Sequence, residues 1–329
     1  MLPGATRLGH TRVVARASLL TSQELRRYAP DTAVYEARPA PAWLDELDLH
    51  VGEPFVKMGT RTIGLDEWFV LDDAFEPEVA LRRRLLAEQR EVVFDCAPTA
   101  ESAAEEVLEL VSTWLTERGV EVPRFDDHPL AVAGMLLPDD LCLMVPRDGD
   151  WWFDGASLCF PSIWRLSDKI GRPTTAVHDT VAHYREELAE KVDRYFHGMP
   201  ADRVVRRRNL SVKPWPLLHV PTRKPDQPIG ALVPDERGAP FWLRSERQTL
   251  RRLPRTGAIL FGIKVQIAPA AVLLDRPDLA AAMAAMYRSF DRPMEVYKAA
   301  VNDLHTGFVP WLERISNASV PVHGDERPC

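Results

Sequence analysis

Residues 157–184 read S-L-C-F-P-S-I-W-R-L-S-D-K-I-G-R-P-T-T-A-V-H-D-T-V-A-H-Y, and the rest of the chain is organised around them. The apolar run Leu158–Phe160 predicts a strand, which Pro161 ends because proline cannot donate to a sheet. After a turn-rich connector, apolar residues at helical spacing predict one helix from about Thr175 to Gly198, a typical glycine stop. The stretch therefore predicts a strand, a connector and a helix.

Two histidines lie on opposite faces of this predicted helix. His178 falls on the apolar stripe that would face the core, whereas His183 shares a face with Glu187 and Glu190, which should contact water. A neutral imidazole on an apolar face can be an axial iron ligand, a catalytic base or a hydrogen-bonded core residue. The pattern alone leaves these alternatives open. The stripe consists of Val181, Tyr184, Leu188, Val192 and Tyr195.

The composition is that of a globular protein. The 329 residues are 46% hydrophobic and 27% charged, which allows a large core in one or two domains. The formal net charge of −7 argues against a dedicated nucleic-acid binder. No apolar run approaches the roughly 20 residues that a membrane-spanning helix needs, and no secretory signal is evident. These features predict a cytoplasmic protein with neither nucleic-acid nor membrane partners.

The cysteines are predicted to be reduced thiols. Cys96, Cys142, Cys159 and Cys329 form no C-x-x-C pair, and their spacing matches neither a zinc motif nor an iron–sulfur motif. Cys159 lies in the apolar run and is predicted to be buried packing, with a haem-thiolate ligand as the alternative.

Periodicity predicts an α+β fold in which helices flank an antiparallel sheet, with an N-terminal helical segment. Amphipathic helices are predicted at 77–94 and at 99–119, the second capped by Thr99. Three strands separated by turn signals predict an antiparallel meander, and two later strands around a P-R-T-G turn predict a hairpin. The meander strands are Ala131–Leu137, Leu141–Val145 and Trp151–Phe160, and the hairpin strands are Phe241–Leu253 and Ala258–Ile267.

The predicted domain organisation is simple. Residues 1–45 are predicted to form an irregular N-terminal arm, residues 46–316 a single domain and residues 317–329 a C-terminal tail. Two helices, at 277–290 and 310–315, are predicted near the end of the domain.

The first hairpin strand carries charge on both of its faces. Arg244 and Glu246 would lie on one face, and Arg247 and Arg251 on the other. Charges beside a core need partners, which Glu246 and a bound anion could supply. The alternative is a solvated edge strand with surface salt bridges. A second basic strand contains Arg206–Arg208, and the sequence does not show whether the two strands meet.

Several motifs resemble one known family. The chain has no G-x-G-x-x-G after a strand, no P-loop and no G-x-S-x-G. It does contain L-C-F-P-S-I-W-R-L-S-D-K-I-G-R-P (158–173), V-H-D (177–179), R-R-N-L-S (207–211) and L-R-S-E-R-Q-T-L-R-R-L-P-R-T-G-A-I-L-F (243–261). Over roughly residues 50–300 these motifs resemble the haem-dependent oxidative N-demethylase family (the DUF3445-type domain).

The resemblance implies a PAS-like antiparallel sheet with flanking helices that holds b-type haem. The implied activity is a monooxygenase-type oxidative removal of a methyl group from a small secondary amine, with dioxygen as co-substrate and formaldehyde as by-product. Reducing equivalents would come from separate flavin- or ferredoxin-type reductase subunits. The alternative is a haem- or ligand-binding PAS-like sensor, or an accessory subunit, that performs no turnover.

The resemblance also implies roles for individual residues. His178 matches the expected iron ligand, and Arg247, Arg251 and Arg207 are candidates to pair with the haem propionates.

The substrate side of the site departs from the family's pattern. Trp164 and Asp179 are the candidates to hold the amine. The family has a proline-containing turn after the histidine, and this chain keeps Tyr184 of that turn without its prolines. The pocket beside the iron is therefore expected to be reshaped, and the sequence does not identify the amine.

Overall fold

One antiparallel sheet of eight strands, in the order β1-β6-β7-β8-β3-β4-β2 with β5 beside β4, organises the described part of the chain. The computed structural model describes residues 26–36, 40–53, 57–178, 182–221, 232–298 and 304–318. The strands are β1 (Arg61–Ile63), β2 (Phe94–Cys96), β3 (Asp140–Arg147), β4 (Asp150–Ser157), β5 (Arg172–Pro173), β6 (Val204–Lys213), β7 (Trp242–Arg252) and β8 (Ile259–Pro269).

Helices cover both faces of this sheet. Among the described residues, no helix has both the length and the apolar composition that a membrane crossing requires. The helices are α1 (Ala33–Glu36), α2 (Phe75–Glu88), α3 (Arg90–Val93), α4 (Glu101–Thr116), α5 (Pro129–Leu136), α6 (Thr174–Val177), α7 (Tyr184–Glu187), α8 (Ala189–Gly198), α9 (Pro277–Arg288), α10 (Arg292–Lys298) and α11 (Phe308–Ala318).

Strand register assigns each side chain to one of two faces, because directly opposed residues point the same way. Face 1 carries Leu243 and Arg247 of β7 and packs against α2, α4 and α5 at one end and against α9 and α11 at the other. Face 2 carries Glu246 and Leu250 of β7, and part of it packs against the segment 158–199. The two faces hold different chemistry, as described below.

The predicted fold class is confirmed, since helices flank an antiparallel sheet and β7 and β8 form the predicted hairpin. The solvated-edge alternative for the first hairpin strand is wrong, because β7 lies between β6 and β8. The PAS-like description and the domain boundaries at residues 45 and 316 stay predictions.

The predicted strand Ala131–Leu137 is wrong, since these residues lie in and just after helix α5. Most of this helix is buried and apolar on every side. Its sequence therefore shows no alternation between apolar and polar faces from which a helix could be predicted. The start signal is His128, whose side chain accepts a hydrogen bond from the backbone N–H of Leu130. Thr99 is not the cap of α4, because the cap position is Ala100 and no side chain caps the helix; the Thr99 hydroxyl instead donates to Asp154 Oδ2 at 2.6 Å.

The predicted single helix from Thr175 to Gly198 is also wrong. Helix α6 ends at Val177, and His183 adopts a left-handed conformation with φ of 61°, which an α-helix cannot contain. Helices α7 and α8 follow this break. The preceding strand ends at Ser157, and the backbone N–H groups of Cys159 and Phe160 donate to the Asp140 carboxylate instead of to a neighbouring strand.

Buried charges form a network on face 1. The ammonium group of Lys264 is hydrogen-bonded to the carboxylate of Glu78, which also accepts from the Tyr35 hydroxyl at 2.7 Å. Asp139 lies fully buried nearby, and its burial raises the pKa of its carboxyl to about 6, against attraction from Lys264 and Arg247. No hydrogen bond reaches either Asp139 oxygen from the described residues.

Asp139→Asn is expected to change the pH dependence of folding stability. The folded carboxyl keeps its proton up to about pH 6, whereas the unfolded one loses it near pH 4, so wild-type stability falls as the pH rises between these values. Asparagine does not ionise, so the variant does not lose stability over this pH range. We therefore expect its free energy of unfolding at pH 7 to be about 2–3 kcal/mol above that of wild type. Urea unfolding from pH 4 to pH 7 measures the effect, with the exposed Asp126→Asn as control. A wild-type pH slope in Asp139→Asn would contradict it.

Candidate functional site

His178 is held in one tautomer by the helix that precedes it. Its Nδ1 lies 2.9 Å from the carbonyl oxygen of Thr174. A carbonyl only accepts hydrogen bonds, so Nδ1 carries the hydrogen and Nε2 of the neutral ring carries the lone pair. The Thr174 hydroxyl donates in turn to the Trp151 carbonyl of β4 at 2.9 Å. This is the tautomer and anchoring that an imidazole needs to ligate a metal through Nε2.

Tyr184 stacks on the His178 ring. The two ring centroids are 4.4 Å apart and the planes differ by 14°. Burial raises the pKa of the Tyr184 phenol to about 12, with a smaller contribution from Asp193, while Arg207 acts in the opposite direction. The phenol is therefore neutral at physiological pH and packs His178 from one side.

Face 2 has a polar centre, formed by Arg207 and Asn209 of β6 and Glu246 and Gln248 of β7. These residues are cross-strand partners, Arg207 with Gln248 and Asn209 with Glu246, so all point to the same side. All are half-buried, whereas Leu250 next to them is buried. The Gln248 amide donates to Glu246 Oε2 at 3.0 Å. We call these four residues the polar floor.

Arg207 of the polar floor carries an unused donor and acts electrostatically on Tyr184. Desolvation lowers the pKa of its guanidinium, and Glu246 is the strongest charge that opposes this effect. Its charge also acts on Tyr184, the residue stacked on His178. Its Nε is buried and receives no hydrogen-bond partner from the described residues. An oxyanion of a bound group would satisfy it.

Cationic side chains surround Glu246. The Lys298 ammonium of α10 donates to Asn209 Oδ1 at 2.9 Å, and burial lowers its pKa to about 8 against the attraction of Glu246. Lys169 lies 4.4 Å from the centre of the Trp164 ring, and burial lowers its pKa too, with Glu246 among the opposing charges. Trp164 and Lys169 therefore lie on the same connector between β4 and α6, and Lys169 is within electrostatic range of Glu246 in the polar floor.

Arg247 and Arg251 lie on face 1, on the opposite side of β7 from the polar floor. Arg247 donates to the carbonyls of Trp68, at 2.9 Å, and Glu67. The Arg251 guanidinium lies 4.2 Å from the centre of the Trp68 ring. The structure therefore does not bring these two predicted propionate partners together with His178, and Arg207 is the predicted arginine on the His178 side.

Three predicted positions remain to be placed: Asp179, His183 and Cys159. Asp179 lies outside the described residues. His183, predicted to face water, is half-buried and forms an ion pair with Asp291 at 2.9 Å. Burial raises the pKa of the Cys159 thiol to about 12, which agrees with its predicted packing role.

Sequence reasoning missed the position of Glu246 at the centre of the floor, together with Gln248, Tyr184 and Lys298. The signal was present as alternation, since residues 207 and 209 and residues 246 and 248 are each two apart. It could be used only once β6 and β7 were known to be neighbours.

One protein-family model matches most of the chain. The model of the family described as haem-dependent oxidative N-demethylase, alpha subunit-like, matches residues 59–122 and 117–306. The matched ranges contain the whole sheet, His178 and the polar floor. The chain therefore belongs to the haem-dependent oxidative N-demethylase, alpha subunit-like, family.

Proposed function

We propose that this protein is a haem-dependent enzyme that removes a methyl group from a small secondary amine, using dioxygen and electrons from separate flavin- or ferredoxin-type reductase proteins. The observation that carries the proposal is the anchoring of His178, whose Nδ1 is held by the Thr174 carbonyl and whose ring stacks on Tyr184, a residue on which Arg207 of the polar floor acts electrostatically. A cytoplasmic location and a PAS-like architecture of the sheet belong to the same proposal.

The residues present suit a b-type haem. His178 Nε2 would hold the iron, and Arg207, with its unsatisfied buried Nε, would pair with a propionate. When bound, haem supplies the redox chemistry that activates dioxygen. Trp164 and the stacked Tyr184 contribute aromatic walls of the kind that a planar macrocycle packs against.

Glu246 is the carboxylate that we assign to the amine. It would accept a hydrogen bond from the N–H of the substrate, and Gln248 orients it through the 3.0 Å hydrogen bond. Arg207, Lys298 and Lys169 lie within electrostatic range of this carboxylate. Asp179 and Trp164 remain candidates for a second contact to the amine.

The overall reaction conserves atoms and electrons. R–NH–CH3, dioxygen, two electrons and two protons give R–NH2, formaldehyde and water. The sequence carries no dinucleotide or iron–sulfur motif, so the two electrons are assigned to a partner protein.

Turnover of the haem-loaded protein tests the proposal. With a reductase or a chemical reductant and dimethylamine, we expect formaldehyde and oxygen consumption in equal amounts. Glu246→Gln should lower kcat/KM about 30-fold or more, since a half-buried charged contact is lost, while the absorption spectrum of the haem is kept. The exposed Glu236→Gln is the matched control. Haem binding without formaldehyde, over a range of small secondary amines, would favour the sensor or accessory alternative.

A further inference from the structure

Three metal-ligating side chains meet at the β2 edge of the sheet, at the opposite end of the strand order from β1 and β6. They are Cys96 of β2, Glu101 at the start of α4 and His128 just before α5. One ligand atom from each lies within 4.8 Å of the other two. The carboxylate Oε2 of Glu101 is 2.9 Å from His128 Nε2.

Contacts outside the cluster position Cys96 and His128. Cys96 pairs with Gly155 of β4, and a Cβ on that glycine would lie 3.2 Å from the sulfur, so the glycine leaves room for the thiol. The backbone N–H of His128 donates to Asp127 Oδ1 at 2.6 Å. Two hydrogen bonds from Arg90, at 2.7 and 2.6 Å, fix that carboxylate. The fold thus holds the cluster through contacts outside it.

The ligand set is that of a borderline-soft cation. Thiolate sulfur, imidazole nitrogen and carboxylate oxygen are the ligands of zinc sites, and zinc bond lengths at tetrahedral angles place ligand atoms about 3.3–3.7 Å apart. The Glu101 side chain is 49% exposed, so water can reach the cluster and supply a fourth ligand. Burial, followed by the charges of Glu101, Asp95 and Asp154, raises the pKa of the Cys96 thiol to about 12. The same acids make the surroundings favourable for a cation.

We propose that Cys96, Glu101 and His128 bind one divalent transition-metal ion of the Zn²⁺ type, with water as the fourth ligand. The ion would connect the edge strand β2 to α4 and α5, and it would do so independently of the haem site.

Proton changes accompany binding. The Cys96 thiol loses its proton to solvent as the metal–sulfur bond forms. Since His128 Nδ1 accepts from the Leu130 N–H at 3.2 Å, the ring hydrogen is on Nε2 in the absence of metal. Binding through Nε2 moves this hydrogen to Nδ1 and breaks that one long hydrogen bond. About one proton is therefore released to solvent for each ion bound.

Calorimetric titration of the full-length, haem-loaded protein with Zn²⁺ tests the site. We expect one ion per chain, with release of about one proton seen as a dependence of the heat on the buffer. Glu101→Gln and Cys96→Ser should each weaken binding at least about tenfold, since loss of even an outer contact to a metal ligand costs 10–100-fold. The matched control is Glu105→Gln, an exposed residue one turn further along α4. Absence of micromolar binding, or equal affinity in all variants, would overturn the proposal.

A melting experiment covers the case in which Cys96→Ser fails to fold. Glu101→Gln changes a half-exposed side chain and is expected to fold normally. At one fixed Zn²⁺ concentration, the Tm of wild type and of Glu105→Gln should rise by the same amount, and the Tm of Glu101→Gln should rise clearly less. An equal rise in Glu101→Gln would place the ion elsewhere and contradict the assignment.

Discussion

The His178→Ala variant is expected to retain less than about one tenth of the haem that the wild type retains. The imidazole is the ligand that we assign to the iron, and its Nδ1 is already committed to the Thr174 carbonyl. Alanine removes the ligand and leaves the neighbouring Tyr184 ring without its stacking partner. Haem content per chain and the visible absorption spectrum after haem-supplemented expression measure the effect.

His183→Ala is the matched control, because it removes a second histidine five residues along the chain, whose assigned contact is an ion pair with Asp291. It should keep the haem content of wild type. Wild-type haem content and spectrum in His178→Ala would move the ligand elsewhere. Loss of haem in both variants would instead indicate general disruption of the segment.

The second large effect concerns folding. Lys264→Met is expected to lower the free energy of unfolding by about 3–5 kcal/mol, because it leaves the fully buried Glu78 without its cation. Lys264 also attracts Asp139 and is paired with Asp72 at 3.6 Å, so methionine weakens three carboxylate contacts at once. The denaturant midpoint and slope at pH 7 measure the loss.

A double variant separates charge from packing. Glu78→Leu combined with Lys264→Met removes both buried charges, and it should recover a large part of the stability lost in Lys264→Met alone. The exposed Lys191→Met serves as control and should change stability by less than about 0.5 kcal/mol. If Lys264→Met lowers the free energy of unfolding as little as that control does, the Lys264 charge does not stabilise the buried carboxylates, and the prediction is contradicted.

Local patterns predicted the elements whose periodicity is clear. The alternation in β8 and the turn before it identified the hairpin, and the apolar stripe of α4 identified that helix. Helix α5 could not be predicted in this way, because it is apolar all round and presents no polar face to reveal its period.

For the candidate site, the sequence did not show which face of the sheet each residue occupies. His178 stood out because it lies on a predicted apolar stripe, although helix α6 ends at Val177, one residue before it. Arg207, Arg247 and Arg251 look alike in the sequence. Only strand pairing shows that Arg207 lies on the side of Glu246 and that the other two lie on the opposite face. Residue type therefore identified the candidates, and register decided which of them share a face of the sheet.

Long-range clusters are the part that sequence spacing hides most completely. The cysteines match no metal motif, yet Cys96 meets Glu101 and His128 because β2, α4 and α5 converge at one edge of the sheet. The Lys264–Glu78 pair likewise joins residues far apart in the chain.

Chemical rescue of the vacant ligand position tests the central assignment most directly. His178→Gly is purified after haem-supplemented expression, and its Soret absorption is measured with and without added imidazole. We expect a weak Soret band that returns when imidazole is supplied with haem, because free imidazole can occupy the position of the missing side chain. A full band in His178→Gly without imidazole, or a correctly folded variant that imidazole does not rescue, would contradict the assignment of His178 to the iron.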